Sequence, residues 1–340
     1  MILSNMKEAL LPLIDKTILV HTLVHRVFFE FFSYVNGRMR AEMIEALREH
    51  LIHMCHTRDG SRVAMNCIWY GTAKDRKTII KSLKTHLVKL CKEEYGHMVL
   101  LAMFDVVDDT KLVQKAILEE LLKSLQGIVT DQYGRKVLLY ILCHRSPLHF
   151  HPDVVSILQE GDDNLVSKKS KTVRKRELLE HMSGPLLQYL EDHARELVTD
   201  NASLLLILAI ITHATGKTSG AMEAVAKIAA EPFGSDTMHI VEHPAGHITL
   251  KKLIQNDKDR IEAGETVLFS QRLLAALPDG ALKSWAACNR GCFMLISLIE
   301  LDHPGIKDTV VSQLTGIKKS LKKVTFKGAQ ILLQKLENIT

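Results

Sequence analysis

The sequence is poor in several things at once. Aromatic residues make up 5% of its 340 positions, with 8 prolines, 6 cysteines and 2 tryptophans. No two of Cys55, Cys67, Cys91, Cys143, Cys288 and Cys292 stand in a C-x-x-C spacing, and four fall in apolar helical patterns. That scatter excludes a disulfide framework and suits small buried thiols in a reducing compartment. Long apolar stretches are missing too. The longest, Leu204 to Ile211, has 8 residues against the ~20 of a membrane-spanning helix. The start, Met1-Ile-Leu-Ser-Asn-Met-Lys7, has no charged segment ahead of an apolar core, so no secretory leader is read. A soluble intracellular chain is expected, which makes the sequons at Asn201 and Asn338 chance matches.

What is present is ordinary in amount and uneven in place. Apolar residues at 46% and charged residues at 24% are globular proportions. The formal net charge is +5, and its location is informative. Residues 1–150 hold 21 basic and 16 acidic side chains, whereas residues 151–190 hold 6 of each and residues 191–340 hold 17 of each. A localised basic excess points to a polyanionic partner more than a diffuse one does.

A repeat accounts for most of the chain. Gly60, Gly96 and Gly134 are 36 and 38 residues apart. Sixteen residues before each stand Ile44, Ile80 and Leu118; thirteen before, Leu47, Leu83 and Leu121. Nine before stand Leu51, Leu87 and Leu125, and six before, Met54, Leu90 and Ile128. Steps of three and four keep all four positions on one helix face. A second apolar stretch follows each glycine, so the unit is helix, tight turn, helix. One such pair cannot bury its own apolar face, and neighbours must stack into a solenoid. Weaker copies place Val24, Ser203, Gly246, Gly291 and Gly328 at the glycine position. No alternation of apolar and polar residues marks a strand. The reading is all-α.

Between Gly134 and Ser203 the interval is about one repeat too long. It holds Pro147, Pro152 and a basic run from Lys168 to Arg176, which reads as a mobile insertion dividing the chain into two lobes. Residues 1–145 then form one lobe, 146–184 a linker, and 185–340 a second lobe whose first helix resumes at Pro185.

Several chemical motifs fail on inspection. Gly216-Lys217-Thr218 has Ile211 where a phosphate loop needs glycine, and follows a helical stretch where a strand is required. His50, His53, Cys55 and His56 do not share one helix face, so no metal site is read. Carboxylates show no recurrent pairing for acid–base work. Neither an enzyme nor a cofactor is expected.

At Asp131-Gln-Tyr-Gly134-Arg-Lys-Val-Leu-Leu139 the unit resembles a Pumilio (PUF) repeat, and Glu94-Tyr-Gly96 and Arg58-Asp-Gly60 agree with it. The run from Leu11 to Phe32, with repeats followed by a long helical C-terminal part, is similar to the divergent Puf-A branch. Those are nucleolar Pumilio-like proteins with a Penguin-like (CPL) region. The resemblance implies a right-handed superhelical solenoid, here of about eight repeats in two lobes. Because members of this branch are longer at the N-terminus, it also implies that the chain is a C-terminal portion. RNA binding, rRNA processing and large-subunit biogenesis in the nucleolus are further implications, with pre-ribosomal RNA and proteins as partners, DNA as a second polyanion, no membrane, and a monomer.

Base-reading repeats of this family use the residues one and five after the glycine for the base edge, and the residue two after it for stacking. Those base-edge positions here hold Ser61 and Met65, His97 and Leu101, or Arg135 and Leu139, and no copy offers a base-reading combination. Leucine and methionine cannot bond a base edge. Charge remains. Arg26, Arg62, Arg135 and Lys136 occupy homologous places on second helices, while Lys74, Arg76, Lys77, Lys81 and Lys84 surround one first helix. Both sets are expected to contact phosphates, giving sequence-tolerant binding of structured RNA. The alternative is a protein-interaction scaffold in which Phe29, Met65, Leu101 and Leu139 line an exposed apolar groove. For the basic run, a nuclear address, an RNA-contacting loop and a plain linker stay open, and for Lys318, Lys319, Lys322, Lys323 and Lys327 an exposed cap or a binding site.

Overall fold

A computed structural model of the chain describes residues 1–234, 238–301 and 303–339. Among them every regular element is helical. Two compact units are present, Met1–Met182 and Ser183–Thr340.

In the first unit the helices are α1 (Ile2–Leu10), α2 (Thr22–Tyr34), α3 (Gly37–Leu47), α4 (Arg58–Tyr70), α5 (Ala73–Leu83) and α6 (Leu87–Cys91). They continue with α7 (Gly96–Val106), α8 (Thr110–Val113), α9 (Glu119–Lys123), α10 (Leu125–Val129), α11 (Gln132–Cys143) and α12 (Pro152–Gln159). α13 (Lys171–Asp192) contains the boundary between the units. The second unit has α14 (Ala194–Thr199), α15 (Leu204–His213), α16 (Ser219–Ala229), α17 (Gly246–Glu262) and α18 (Phe269–Ala276). It ends with α19 (Ala281–Trp285), α20 (Asn289–Ile299), α21 (Pro304–Gln313), α22 (Lys318–Leu321) and α23 (Lys327–Ile339). The second helices of successive repeats pack side by side: α2 on α4, α4 on α7 and α7 on α11 in one unit. In the other, α15, α17, α20 and α23 do the same.

The four periodic apolar positions of each first helix are buried, as their spacing predicts. The helix carrying them is nevertheless not continuous. Ten residues before the repeat glycine, His50, His86 and Ser124 leave helical geometry, with φ/ψ of −106°/−4°, −112°/1° and −118°/23°. His193 does the same ten before Ser203, at −118°/22°. The chain bends there and presents both apolar pairs to the core. The period survives because a bend changes the helix axis more than the facing of its side chains.

The glycines have a steric cause. A Cβ on Gly60, Gly96, Gly134 or Gly291 would lie 2.1, 2.7, 2.4 or 2.1 Å from the carbonyl oxygen six residues earlier. The first turn of the second helix therefore sits directly on the end of the first. Residues three before the glycine cap that turn: Thr57 Oγ1 accepts from the Gly60 amide at 3.1 Å, and Asp131 Oδ1 from the Gly134 amide at 2.8 Å. Gly184, inside α13, has nothing within 4 Å of its Cβ position. The same substitution is thus expected to act with opposite signs. Gly134→Ala should cost about 1–3 kcal/mol through overpacking, and Gly184→Ala should stabilise by about 0.5–1 kcal/mol through helix propensity. Urea unfolding of the two variants checks it, and equal shifts would remove the close-approach account.

The segment expected to be a mobile linker is instead stitched to the first unit by three arginines, Arg76 and Arg174 buried and Arg145 half-buried. Arg145 binds Asp105 at 2.6 Å, Asp162 at 2.7 Å and the Leu158 carbonyl at 3.2 Å, and donates to Tyr140 Oη at 3.1 Å. Arg174 binds Asp108 at 2.8 Å, and Arg76 reaches Asn164 and Ser167. Gly161 lies so close to Trp69 that a Cβ would stand 2.3 Å from the indole. Helix formation does not resume at Pro185 either. α13 runs through it, with Leu178, Met182, Leu186 and Leu190 buried four residues apart. Burial of that stripe outweighs the helix-start signal of Ser183-Gly184-Pro185.

Candidate nucleic-acid interface

The second helices were expected to line up Arg26, Arg62, Arg135 and Lys136 as a continuous cationic row. Each is present, but acids and backbone occupy most of the row. Exposed Arg26 pairs with Glu30 and lies 3.7 Å from Asp59. Arg62, its side chain 17% exposed, is held by Glu160 at the end of α12. Both guanidinium groups flank the half-buried Phe29 ring, at 5.8 and 5.4 Å. Arg135 donates to the Val129 carbonyl at 3.0 Å, and Lys136 lies 5.4 Å from the Tyr133 ring.

The third copy supplies no cation. There His97 and Met98 are buried. His97 Nδ1 donates to the Glu93 carbonyl at 3.1 Å, its ring stacks on Tyr133 at 5.1 Å, and burial lowers its pKa to about 4, so it is neutral at pH 7. α12 overlies this face: Val154 and Ile157 border a cavity of about 250 Å³ together with Arg58, Arg62, Tyr133 and Lys136. Of the four residues of the scaffold alternative's apolar groove, Phe29 alone is partly exposed. Met65, Leu101 and Leu139 are 1%, 0% and 6% exposed, because the fifth position points into the contacts between second helices.

The first-helix set divides differently. Lys74, Lys77 and Lys81 stand three and four residues apart on α5, and Lys84 begins the 3₁₀ turn Lys84–His86. These steps place them on one face, and all four are exposed. Lys74, Lys77 and Lys81 have no ion partner among the described residues, and Lys84 lies 3.9 Å from Glu120. The Thr72–Asp75 capping box fixes the start of this helix. Arg76, expected in the same set, is on the opposite side. It is 4% exposed and donates to the Ile68, Val106 and Trp69 carbonyls at 2.8, 2.7 and 2.9 Å. Burial lowers its pKa to about 10. Arg76 holds backbone and is closed to a ligand.

Lys115 was missed. It is exposed, stands as far before Gly134 as Lys77 does before Gly96, and belongs to the π turn Gln114–Leu118 that packs against α5. Reading equivalent offsets across repeats would have found it. The basic run is largely consumed within the fold. Lys169 pairs with Glu177 at 2.9 Å, Lys171 with Asp162 at 3.2 Å and Arg176 with Glu180 at 3.6 Å, with Arg174 on Asp108. Of the C-terminal lysines, Lys319, Lys323 and Lys327 are exposed, and Lys322 lies 3.5 Å from Glu337. No group of three His, Cys, Asp or Glu among the described residues could hold a metal ion, and no described helix is long and apolar enough to cross a membrane.

Comparison with known proteins agrees with this architecture. Residues 33–136 match a NOP9-like PUF repeat domain and residues 130–266 the CPL (NUC119) domain. Pumilio homolog 3 of Rattus norvegicus and that of Homo sapiens are each 46% identical over 99% of this chain. The chain spans 53% of the length of either relative. A crystal structure of human Puf-A in complex with DNA superposes with a TM-score of 0.93 at 45% identity, covering 98% of this chain and 65% of that one. With its PUF repeats, its CPL region and its likeness to Puf-A, the chain belongs to the Puf-A-like branch of the Pumilio family.

Proposed function

We propose that the first unit binds RNA by its backbone, without reading bases, through the α5 lysine face extended by Lys115. The observation that carries this is the pairing of two facts: a row of exposed cations in which only Lys84 has a carboxylate, Glu120, within 4 Å among the described residues, and base-edge positions five after the glycine filled by buried methionine and leucine. Phosphates supply affinity here and leave sequence unread. The DNA held by human Puf-A supports a ligand recognised by its charge. In the cell we place this activity in the nucleolus, on pre-ribosomal RNA during large-subunit assembly, with no catalytic step.

Titration of unrelated RNAs of equal length tests the reading. Their affinities should agree within a few-fold. Five phosphate contacts predict a loss of about 100-fold or more between 50 and 200 mM salt. Strong preference for one sequence, or a flat salt response, contradicts it. The nucleolar assignment is checked separately, by crosslinking the protein in cells and sequencing the attached RNA.

A further inference from the structure

The two units present equivalent faces, one covered and one open. In the first, the residues one, two and five after Gly60 on α4 and one before and two after Gly96 on α7 border the cavity of about 250 Å³. α12 closes that cavity. In the second, the same positions relative to Gly246 on α17 and Gly291 on α20 border a cavity of about 440 Å³. His247, Ile248 and Lys251 stand on one side of it, Arg290 and Phe293 on the other. Among the described residues, only those of α17 and α20 border it.

α12 covers the first face with a simple pattern. Val154, Ile157 and Glu160 follow at steps of three, which places them on one side of the helix. The two apolar side chains border the cavity, and the Glu160 carboxylate binds Arg62. The second face has counterparts for all three groups. Ile248 is 38% exposed and Phe293 is half-buried. On the adjoining α15, Leu205 is 46% exposed, with Leu204 and Leu208 half-buried beside it. Lys251 and Lys252 have no ion partner among the described residues, Arg290 donates to the Glu242 backbone carbonyl, and no carboxylate borders the cavity. Nucleic acid would satisfy the cations but leave the leucines unused. Leu204, Leu205 and Leu208 hold the positions one, two and five after Ser203 and offer a base edge neither donor nor acceptor. Aliphatic side chains of a protein match that hydrocarbon, as Val154 and Ile157 do in the first unit.

We propose that the α17–α20 face of the second unit receives an amphipathic acidic helix of a partner protein, seated as α12 is seated in the first unit. Two of its apolar side chains, one turn apart, rest on Ile248 and Phe293, and a carboxylate on the next turn meets Lys251, Lys252 and Arg290. The RNA-binding reading concerns other residues in the other unit, so this interaction is independent of it.

The test adds to the full chain a fluorescein-labelled peptide copying residues 151–160. A lactam between the positions of Val155 and Gln159, opposite Val154, Ile157 and Glu160, holds it helical. Saturable binding is expected. Lys251→Glu with Lys252→Glu should weaken it about tenfold or more, and Phe293→Ala about fivefold or more. Arg62→Glu, in the other unit, should change it less than about twofold. A peptide carrying Glu160→Lys should bind the lysine-reversed chain about tenfold better than the original peptide does, which separates lost charge from lost fold. Absence of binding, or equal binding of a scrambled peptide, overturns the proposal. So does a loss with Arg62→Glu but not with the lysine reversal, since the peptide would then have replaced α12 in the first unit. Displacement by unlabelled dodecauridylate at a lower concentration than by unlabelled peptide overturns it as well, and gives the face to nucleic acid. Reversal of Lys74, Lys77 and Lys81 should spare the peptide while weakening RNA, so the two readings fail separately.

Discussion

Replacing Arg76 by methionine is expected to destabilise the first unit by about 3–5 kcal/mol and to leave the RNA affinity of the folded protein unchanged. The side chain donates to three backbone carbonyls, to Asn164 Oδ1 at 3.2 Å and to Ser167 Oγ at 3.0 Å. It thereby ties the ends of α4 and α7 to the segment following α12. Methionine fills similar volume but takes this donor from the Ile68 and Trp69 carbonyls, each costing about 1–3 kcal/mol when buried without a donor, while Ser167 still donates to the Val106 carbonyl and to Asn164 Oδ1. Arg76→Lys should rescue little, since one ammonium cannot replace three nitrogens fixed in a plane. The two tryptophans allow a clean readout, with Trp69 buried in the first unit and Trp285 in the second. In a Trp285→Phe background, urea unfolding followed by fluorescence reports the first unit alone. An unshifted transition together with weakened RNA binding would return Arg76 to the binding set.

That residue shows what sequence alone could and could not deliver. On a helical wheel Arg76 falls among Ile79, Ile80 and Leu83, all buried, and opposite Lys74, Lys77 and Lys81. Its burial was therefore legible from the same period that exposed the repeat, but counting cations along the chain conceals it. Arg62 is a different case. Its partner Glu160 lies 98 residues away, at the C-terminal cap of an inserted helix, and no local pattern announces such a pairing. The bends at His50, His86 and Ser124 were hidden because the apolar offsets continue across them. The basic run misled for a related reason. Charged residues between prolines read as solvated loop, yet Asp105, Asp108 and Asp162 make the arginines at either end of that segment the means of holding it in place. Repeat, register and helical class needed only local spacing; the division of cations into structural and free ones needed the tertiary partners.

Changing Lys74, Lys77 and Lys81 together to glutamate is expected to lower affinity for every RNA by about 100-fold at 150 mM salt, and the salt slope by about 2–3. These side chains project from an exposed helix face and contribute no packing, so the unfolding transition should move by less than about 1 kcal/mol. The comparison that gives the result meaning is the triple reversal of Arg62, Arg135 and Lys136. In that set Glu160 already compensates one charge and the Val129 carbonyl engages another. Its reversal should cost RNA affinity less than about fivefold, because a cation with a fixed internal partner must lose that partner before it can gain a phosphate. Titrations of both triple variants with the same RNAs, over the same range of salt, decide between the two faces. If the second set proves the more damaging, the polyanion lies along the second helices and α12 must move aside to admit it. The α5 lysines would then be no more than a solvated surface.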